Sequence, residues 1–124
     1  MAQEITATCG LTVNKTNGPV FTMASSAQRI DLSGSRYSGG IQDIGTSAHE
    51  ALTVISDQST SGWAYFKNLD ATNYLEIGRD VAAAFSPVLR LNAGEVCVCR
   101  VTTTALYAKA NTGACKLQYM ILEP

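Results

Sequence analysis

The sequence is poor in charge and contains a single histidine. Charged residues make up 15% of its 124 residues, against roughly 25% in an ordinary soluble protein. Nine basic and ten acidic residues are spread along the chain, a balance that gives no field to attract nucleic acid or an anionic membrane. No apolar run approaches the roughly 18 to 20 residues of a membrane span, and the start lacks the basic and apolar stretches of a secretion signal. We therefore expect a protein folded in a cytoplasm that binds neither nucleic acid nor membrane.

Alternation with a period of two is the dominant pattern, and threonine and serine supply much of the polar surface. The chain has thirteen Thr and ten Ser, and threonine packs well on a pleated strand. Near the start, the apolar positions of one face are Ile5, Ala7, Cys9, Leu11 and Val13. This alternation predicts one half-buried N-terminal strand within 1–14, which we expect to be available to a partner.

Short strand signals and turn signals alternate along the rest of the chain. Strands are predicted over 20–23, 29–32, 52–55, 63–66, 74–77, 87–91, 95–102, 106–110 and 115–122. The Gly/Ser-rich stretch 33–40 predicts a loop. Within 41–55, one helical turn capped by Thr46 or Ser47 is an alternative to a loop that leads into a strand. The pattern predicts a single all-β domain over 1–124, an antiparallel β-sandwich or jelly roll of about eight to ten short strands.

The most aromatic stretch of the sequence leads into a polar corner. Trp63 and Tyr65 share one face of a predicted strand, and large apolar residues also occupy its other face. The pattern places this strand at the centre of a sheet or at a subunit contact. Asn68, Asp70 and Asn73 are suited to a turn because their side chains hydrogen-bond to nearby backbone. We interpret the segment as scaffold rather than as a binding site.

Four cysteines, Cys9, Cys97, Cys99 and Cys115, allow three different pairings. A single residue separates Cys97 from Cys99, whereas paired zinc-binding cysteines have at least two residues between them. On a strand they would also point the same way at roughly 6.6 Å, which disfavours a bridge between them. One interpretation is buried thiols that act as small hydrophobes. The other is a cross-link between strands or subunits after release from the cell, in which a Cys9–Cys115 bridge would contribute up to roughly 4 to 5 kcal/mol.

No combination of residues points to an enzyme. The single histidine, His49, has no serine elbow or second metal-ligating histidine near it in the sequence, and we expect it in a loop or at the surface. Two acid pairs, Asp70 with Glu76 and Asp80 with Glu95, are weak candidates for glycosidase carboxylates. Phosphate-loop, dinucleotide and calcium-loop motifs are absent from the sequence. We predict no catalytic residue, no cofactor and no metal site.

Three stretches in the second half combine strand and turn signatures in a recognisable order. They are “GWAYFKNLDATNYLEIG” (62–78), “FSPVLRLNAGEVCVCRV” (85–101) and “LYAKANTGACKLQYMILEP” (106–124). Together they resemble small structural proteins of tailed bacteriophages, over about residues 41 to 124. The resemblance implies a virion component, made in the host cytoplasm and folded as a β-sandwich or jelly roll. Cys97 and Cys99 stand where plain hydrophobes would suffice in such proteins, which favours the cross-linking interpretation.

Within that class, the leading hypothesis is a capsid decoration or cement protein that binds the major capsid protein or another virion protein. Its expected contact elements are the N-terminal strand and the 33–40 loop, with candidate interface residues Ile5, Leu11, Val13, Arg36 and Tyr37. An edge-strand contact predicts that deletion of residues 1–13 abolishes binding to particles. We also expect a symmetric homo-oligomer, a dimer or trimer.

Two alternative functions remain. The first is a neck, tail or fibre-base component, because these proteins reuse the same sandwich. The second is a carbohydrate-binding module, in which Trp63, Tyr65 or Tyr37 would stack on a sugar ring. This second alternative requires an exposed aromatic ring. The fluorescence maximum of Trp63, which shows whether its ring is exposed or buried, therefore distinguishes it from the virion hypotheses.

Overall fold

A computed structural model of the protein describes residues 3–24, 26–32, 34–56, 58 and 62–123. The contacts divide the chain into two compact units, Met1–Ser33 and Gly34–Pro124. Every strand pair is antiparallel, and no helix occurs in the described ranges. The predicted all-β sandwich is therefore confirmed. The prediction that residues 1–124 form one domain stays a prediction.

The first unit contains two small pairs of strands. Strand β1 (Ile5–Ala7) pairs with β4 (Gln28–Ile30), while β2 (Leu11–Asn14) and β3 (Val20–Met23) form a hairpin. The prediction of one continuous N-terminal strand is wrong, because its two halves pair with different partners and the chain leaves the strand between them. Cys9 lies in this break and is exposed, not on a buried face.

The second unit is the sandwich. Its strands in chain order are β5 (Tyr37–Ile44), β6 (Glu50–Ala51), β7 (Trp63–Asn68), β8 (Leu75–Val81), β9 (Ala84–Leu91), β10 (Val96–Arg100), β11 (Tyr107–Ala110) and β12 (Cys115–Leu122). Sheet 1 has the order β10-β7-β12-β5, and sheet 2 has the order β6-β11-β8-β9. The two sheets pack as two layers, the arrangement that buries one face of each sheet.

The core lies between the sheets and follows the alternation of the strands. Sheet 1 supplies the buried side chains of Ile44, Ala64, Phe66, Cys115, Leu117, Tyr119 and Ile121. Sheet 2 supplies those of Leu75, Ile77, Leu91, Ala108 and Ala110. Because side chains alternate between the two faces of a strand, the residues between these positions form the outer faces.

Three local predictions are wrong. The stretch 33–40 is not a loop throughout, because β5 begins at Tyr37 and pairs along its length with β12; Ser33 lies outside the described residues. No strand forms at 52–55, since the short β6 ends at Ala51, and the helical turn considered there is absent as well. The hairpin of β8 and β9 extends through residues 78–86, a stretch for which the sequence predicted no strand.

Candidate functional site

Apolar side chains from all four strands lie on the outer face of sheet 1, where Lys67 and Gln118 stand between Val96 and Ile41. Trp63 and Tyr65 project from β7, and they are half-buried while their neighbours Ala64 and Phe66 enter the core. Met120 on β12 lies beside Tyr65 in the strand register. Val96, Tyr37 and Ile41 extend the surface across the edge strands β10 and β5. We call these residues the apolar face: Tyr37, Ile41, Trp63, Tyr65, Val96 and Met120.

Most of the apolar face is open to solvent. Ile41 and Tyr37 are 61% and 59% exposed, and Val96 and Met120 are also exposed. On β5, Gly39 lies opposite Met120, so no side chain covers Met120 from that side. A Cβ on Gly39 would lie 2.6 Å from the carbonyl oxygen of Tyr119, so the close pairing of the two strands needs glycine here.

One end of the apolar face carries an aromatic side chain with an unsatisfied donor. The guanidinium of Arg100 lies 5.6 Å from the ring centroid of Trp63, a cation–π distance. Among the described residues, the buried indole Nε1 of Trp63 has no hydrogen-bond partner, whereas buried indole N–H groups usually find one.

The outer face of sheet 2 carries an ion pair and a cation–π contact. Arg90 Nη2 lies 3.5 Å from Glu76 Oε2, and its guanidinium lies 4.0 Å from the ring centroid of Tyr74. The solvated face of an antiparallel sheet is normally polar in this way. The aromatic and methionine side chains gathered on sheet 1 make the apolar face the candidate site, because exposed apolar surface of this kind marks interaction sites.

The polar corner after β7 is held by its own side chains. Asn68 is fully buried, and its Nδ2 donates to the carbonyl oxygens of Asn73 at 2.9 Å and Leu91 at 3.1 Å. Asp70 accepts hydrogen bonds from the backbone N–H groups of Asn73 and Thr72. These two bonds hold the pKa of Asp70 below its ordinary value, and the bond from Asn73 has the larger effect. The corner is thus a structural support for the strand that carries Trp63 and Tyr65.

The four cysteines have different environments. Cys115 is a buried thiol, so the Cys9–Cys115 disulfide is not formed. Burial raises the pKa of Cys115, and the charge of Asp70 adds to the shift, so little reactive thiolate forms near neutral pH. Cys97 and Cys99 are half-buried on β10 and pack against the core. Cys9 is the exposed member of the set.

The single histidine forms a contact that the sequence did not predict. His49 lies in a loop, as expected, but its Nε2 is 2.8 Å from Asp80 Oδ2 and its ring stacks on Phe85. The hydrogen bond from His49, together with one from the backbone N–H of Ala83, keeps the pKa of Asp80 below its ordinary value. This arrangement fixes the end of the β8–β9 hairpin. The partners of His49 are 31 and more residues away, so neighbouring sequence gives no signal for the pair.

The acid pairs considered for glycosidase chemistry are each engaged elsewhere. Glu76 pairs with Arg90, and Glu95 accepts a hydrogen bond from the backbone N–H of Asn92. Asp70 and Asp80 hold turns, as described above. The four carboxylates therefore serve local structure.

The remaining interface candidates have separate positions. Ile5 is buried and lies opposite Ile30 in the β1–β4 pair. Leu11 is exposed on β2, and Val13 is half-buried opposite Phe21. Arg36 lies just before β5, with its guanidinium 3.6 Å from Glu123. Of the predicted interface residues, Tyr37 is the one that belongs to the apolar face.

Among the described residues, no group of three or more His, Cys, Asp or Glu side chains is placed to hold a metal ion. In the same part of the chain, no helix is long and apolar enough to cross a membrane. Comparison of the chain with protein-family models, curated proteins and solved structures finds no match.

Proposed function

We propose that this protein is a non-enzymatic structural component of a tailed-phage particle, and that it decorates the head shell by binding the major capsid protein. The sequence resemblance supports the particle as its location. The observation that carries the binding role is the set of exposed and half-buried Trp, Tyr and Met side chains on the outer face of sheet 1.

The composition of the apolar face suits a protein partner. Tryptophan, tyrosine and methionine are enriched at protein–protein interfaces, whereas lysine and acidic residues are depleted at their centres. Trp63, Tyr65 and Met120 lie together on the two central strands of sheet 1. The ion pair of Lys116 and Asp43, with Nζ and Oδ1 2.6 Å apart, lies at one end of the same sheet face. This arrangement of an apolar centre and a polar rim is typical of specific interfaces.

Co-sedimentation with phage heads that lack the protein tests the proposal. We expect the wild type to bind in stoichiometric amounts, and Met120→Lys to reduce binding by at least tenfold because it places a charge in the interface. Val81→Lys is the matched control, since Val81 is an exposed apolar residue on sheet 2. Equal binding by both variants contradicts the role of the apolar face. Binding to purified tails instead of heads supports the neck, tail or fibre-base alternative.

Cross-linking and symmetry belong to the same proposal. We propose a symmetric homo-oligomer, a dimer or trimer. Non-reducing and reducing electrophoresis of the protein from purified particles tests a cysteine cross-link. A disulfide-linked multimer that disappears in Cys9→Ser supports a link through the exposed cysteine, whereas a reduced monomer rules it out.

One observation favours a second candidate, the carbohydrate-binding module. Trp63, Tyr65 and Tyr37 all lie on the apolar face, and flat aromatic faces stack on sugar rings. Titration of a soluble glycan panel while Trp63 fluorescence is recorded tests this candidate. A saturable change that is lost in Tyr37→Ala supports sugar binding. If the fluorescence of Trp63 changes in neither the wild type nor Tyr37→Ala, the sugar-binding candidate is excluded and the protein-binding role is retained.

A further inference from the structure

A cleft of about 350 Å³ opens into the interior of the sandwich, away from the apolar face. Its wall includes Phe66 from sheet 1, Ile77 and Leu89 from sheet 2, and Leu106 from the segment before β11. All are large apolar side chains, and they are buried or half-buried. The volume falls within the roughly 300 to 1,000 Å³ of small-molecule sites.

An arginine lines this cleft because the alternation along β8 places it on the same face as Ile77. The pairing of β8 with β9 is irregular between Ile77 and Gly78. Beyond that point, Asp80 lies opposite Phe85, and both contact His49. Since successive side chains point to opposite faces, Arg79 lies on the other face from Asp80. Arg79 accordingly lines the cleft.

Two arginines line the cleft, Arg79 and Arg100, and neither forms an ion pair within the described residues. The guanidinium of Arg100 lies over the ring of Trp63 at the end of the apolar face, so Arg79 is the cation that a ligand in the cleft can meet. The guanidinium of arginine stays protonated in proteins and matches a carboxylate with two parallel hydrogen bonds. An anionic group that enters the cleft would therefore gain a charge-assisted partner. Most of the remaining wall is apolar, with Thr102 and Thr103 as its uncharged polar residues.

We propose that the cleft binds a small amphipathic carboxylate of the medium-chain fatty-acid type. The alkyl chain packs against Phe66, Ile77 and Leu89, and the carboxylate meets Arg79 at the mouth. Burial of each methylene group contributes favourably, and the arginine selects for an acidic head group. This site goes beyond the proposed function, because it uses the interior of the sandwich instead of the apolar face.

Isothermal titration of the full-length protein with decanoate, below its micelle concentration, tests the proposal. We expect saturable binding with one site per chain. Arg79→Gln should weaken binding about tenfold, the size of effect expected for a lost charge-assisted hydrogen bond. Arg79→Lys should retain most of the affinity. Arg90→Gln is the matched control, since it removes an arginine from the outer face of the same sheet and should leave binding unchanged.

The position of the ligand is tested by amide chemical shifts during the same titration. We expect changes at Ile77, Leu89 and Leu106, and none at Ile41 or Met120 on the apolar face. Decyl maltoside, which has the same chain with a neutral head group, should bind at least tenfold more weakly. Absence of saturable binding, equal effects of Arg79→Gln and Arg90→Gln, or shifts confined to the apolar face would each overturn the proposal. The particle-binding result does not depend on any of these outcomes.

Discussion

The turn between β8 and β9 is made by two alanines in the left-handed region of backbone conformation. Ala82 and Ala83 have φ angles of 54° and 66°, and they join Val81 to its partner Ala84. Two-residue hairpin turns with positive φ at both positions usually contain Asn-Gly, because a side chain costs roughly 1 to 2 kcal/mol there. Asp80 compensates in part, since its Oδ1 accepts the N–H of Ala83 at 2.9 Å.

Ala83→Gly should therefore stabilise the protein, even though glycine adds freedom to the unfolded chain. Relief of the left-handed strain exceeds that entropic loss, so we expect a gain of about 0.5 to 1 kcal/mol in the free energy of unfolding. Urea denaturation measures it. The matched control is Ala84→Gly, on the strand beside the turn, which should destabilise. If both variants lose stability equally, the turn is not strained.

Asp70 makes stability depend on pH in acid. Its folded pKa lies below the ordinary 3.8, so the folded state binds a proton less readily than the unfolded chain. The resulting stabilisation is fully present above the unfolded pKa and is lost as pH falls through the folded value.

Asp70→Asn removes this titration while keeping a side-chain oxygen that accepts hydrogen bonds. We expect the wild type to be more stable than Asp70→Asn above about pH 5. This difference should decrease as pH falls below the unfolded pKa of Asp70 and disappear below the folded pKa. Thermal unfolding of both proteins from pH 7 to pH 2 measures this difference. A difference that stays constant over the whole range would show that the Asp70 charge does not contribute through its pKa.

At the scale of elements, regular alternation made some strands predictable. The predicted strand 115–122 coincides with β12, because every second residue enters the core. The alternation of the N-terminal stretch was equally clear, but the break at residues 8–10 depends on which strands pair with each half. The β8–β9 hairpin was missed because its turn of two alanines contains none of the residues that signal a turn.

The apolar face illustrates a limit of the same kind. The sequence identified Trp63 and Tyr65 as unusual, and placed them in scaffold. Their neighbours Tyr37 and Met120 come from distant parts of the chain, and the order of strands in sheet 1 brings them together. Local sequence patterns do not determine the order of strands in a sheet. The sequence therefore predicted the individual strands, but not that their outward-facing residues form one surface.

The pairing of β8 and β9 also requires close approach of two backbones at Gly78. A Cβ at this position would collide with the carbonyl oxygen of Ser86 and lie 2.7 Å from the Cα atom of Pro87. Because both atoms belong to the backbone of β9, an added methyl group can be accommodated only if the strand moves. We expect Gly78→Ala to reduce the free energy of unfolding by roughly 2 kcal/mol or more, comparable to overpacking of a core.

Gly45→Ala is the matched control for that variant. The nearest atom to its added Cβ would be 3.4 Å away, on the side chain of Glu50. We expect a change within about 0.5 kcal/mol, the range of an unremarkable substitution. Denaturation of both variants gives the comparison. Equal losses would mean that the β8–β9 pairing accommodates a methyl group.

At the scale of the whole molecule, the two units differ in what can stabilise them. The sandwich of 34–124 has two four-stranded sheets and a contiguous buried cluster. The first unit consists of two-stranded pairs, and isolated two-stranded hairpins are at best marginally stable in water. Several apolar residues of its hairpin, among them Leu11, Val20 and Met23, are exposed. The sandwich is thus the part expected to fold independently.

A fragment of residues 34–124 tests both the fold and the site of binding. We expect it to unfold cooperatively on heating, because the core cluster lies entirely within it. A fragment of residues 1–33 should show no cooperative unfolding transition, because its described strands form only two-stranded sheets. If the apolar face carries binding, the 34–124 fragment still sediments with phage heads, and Met120→Lys in the fragment abolishes this. A folded fragment that no longer binds would instead assign the contact to the N-terminal strands, as the sequence predicted for a deletion of residues 1–13.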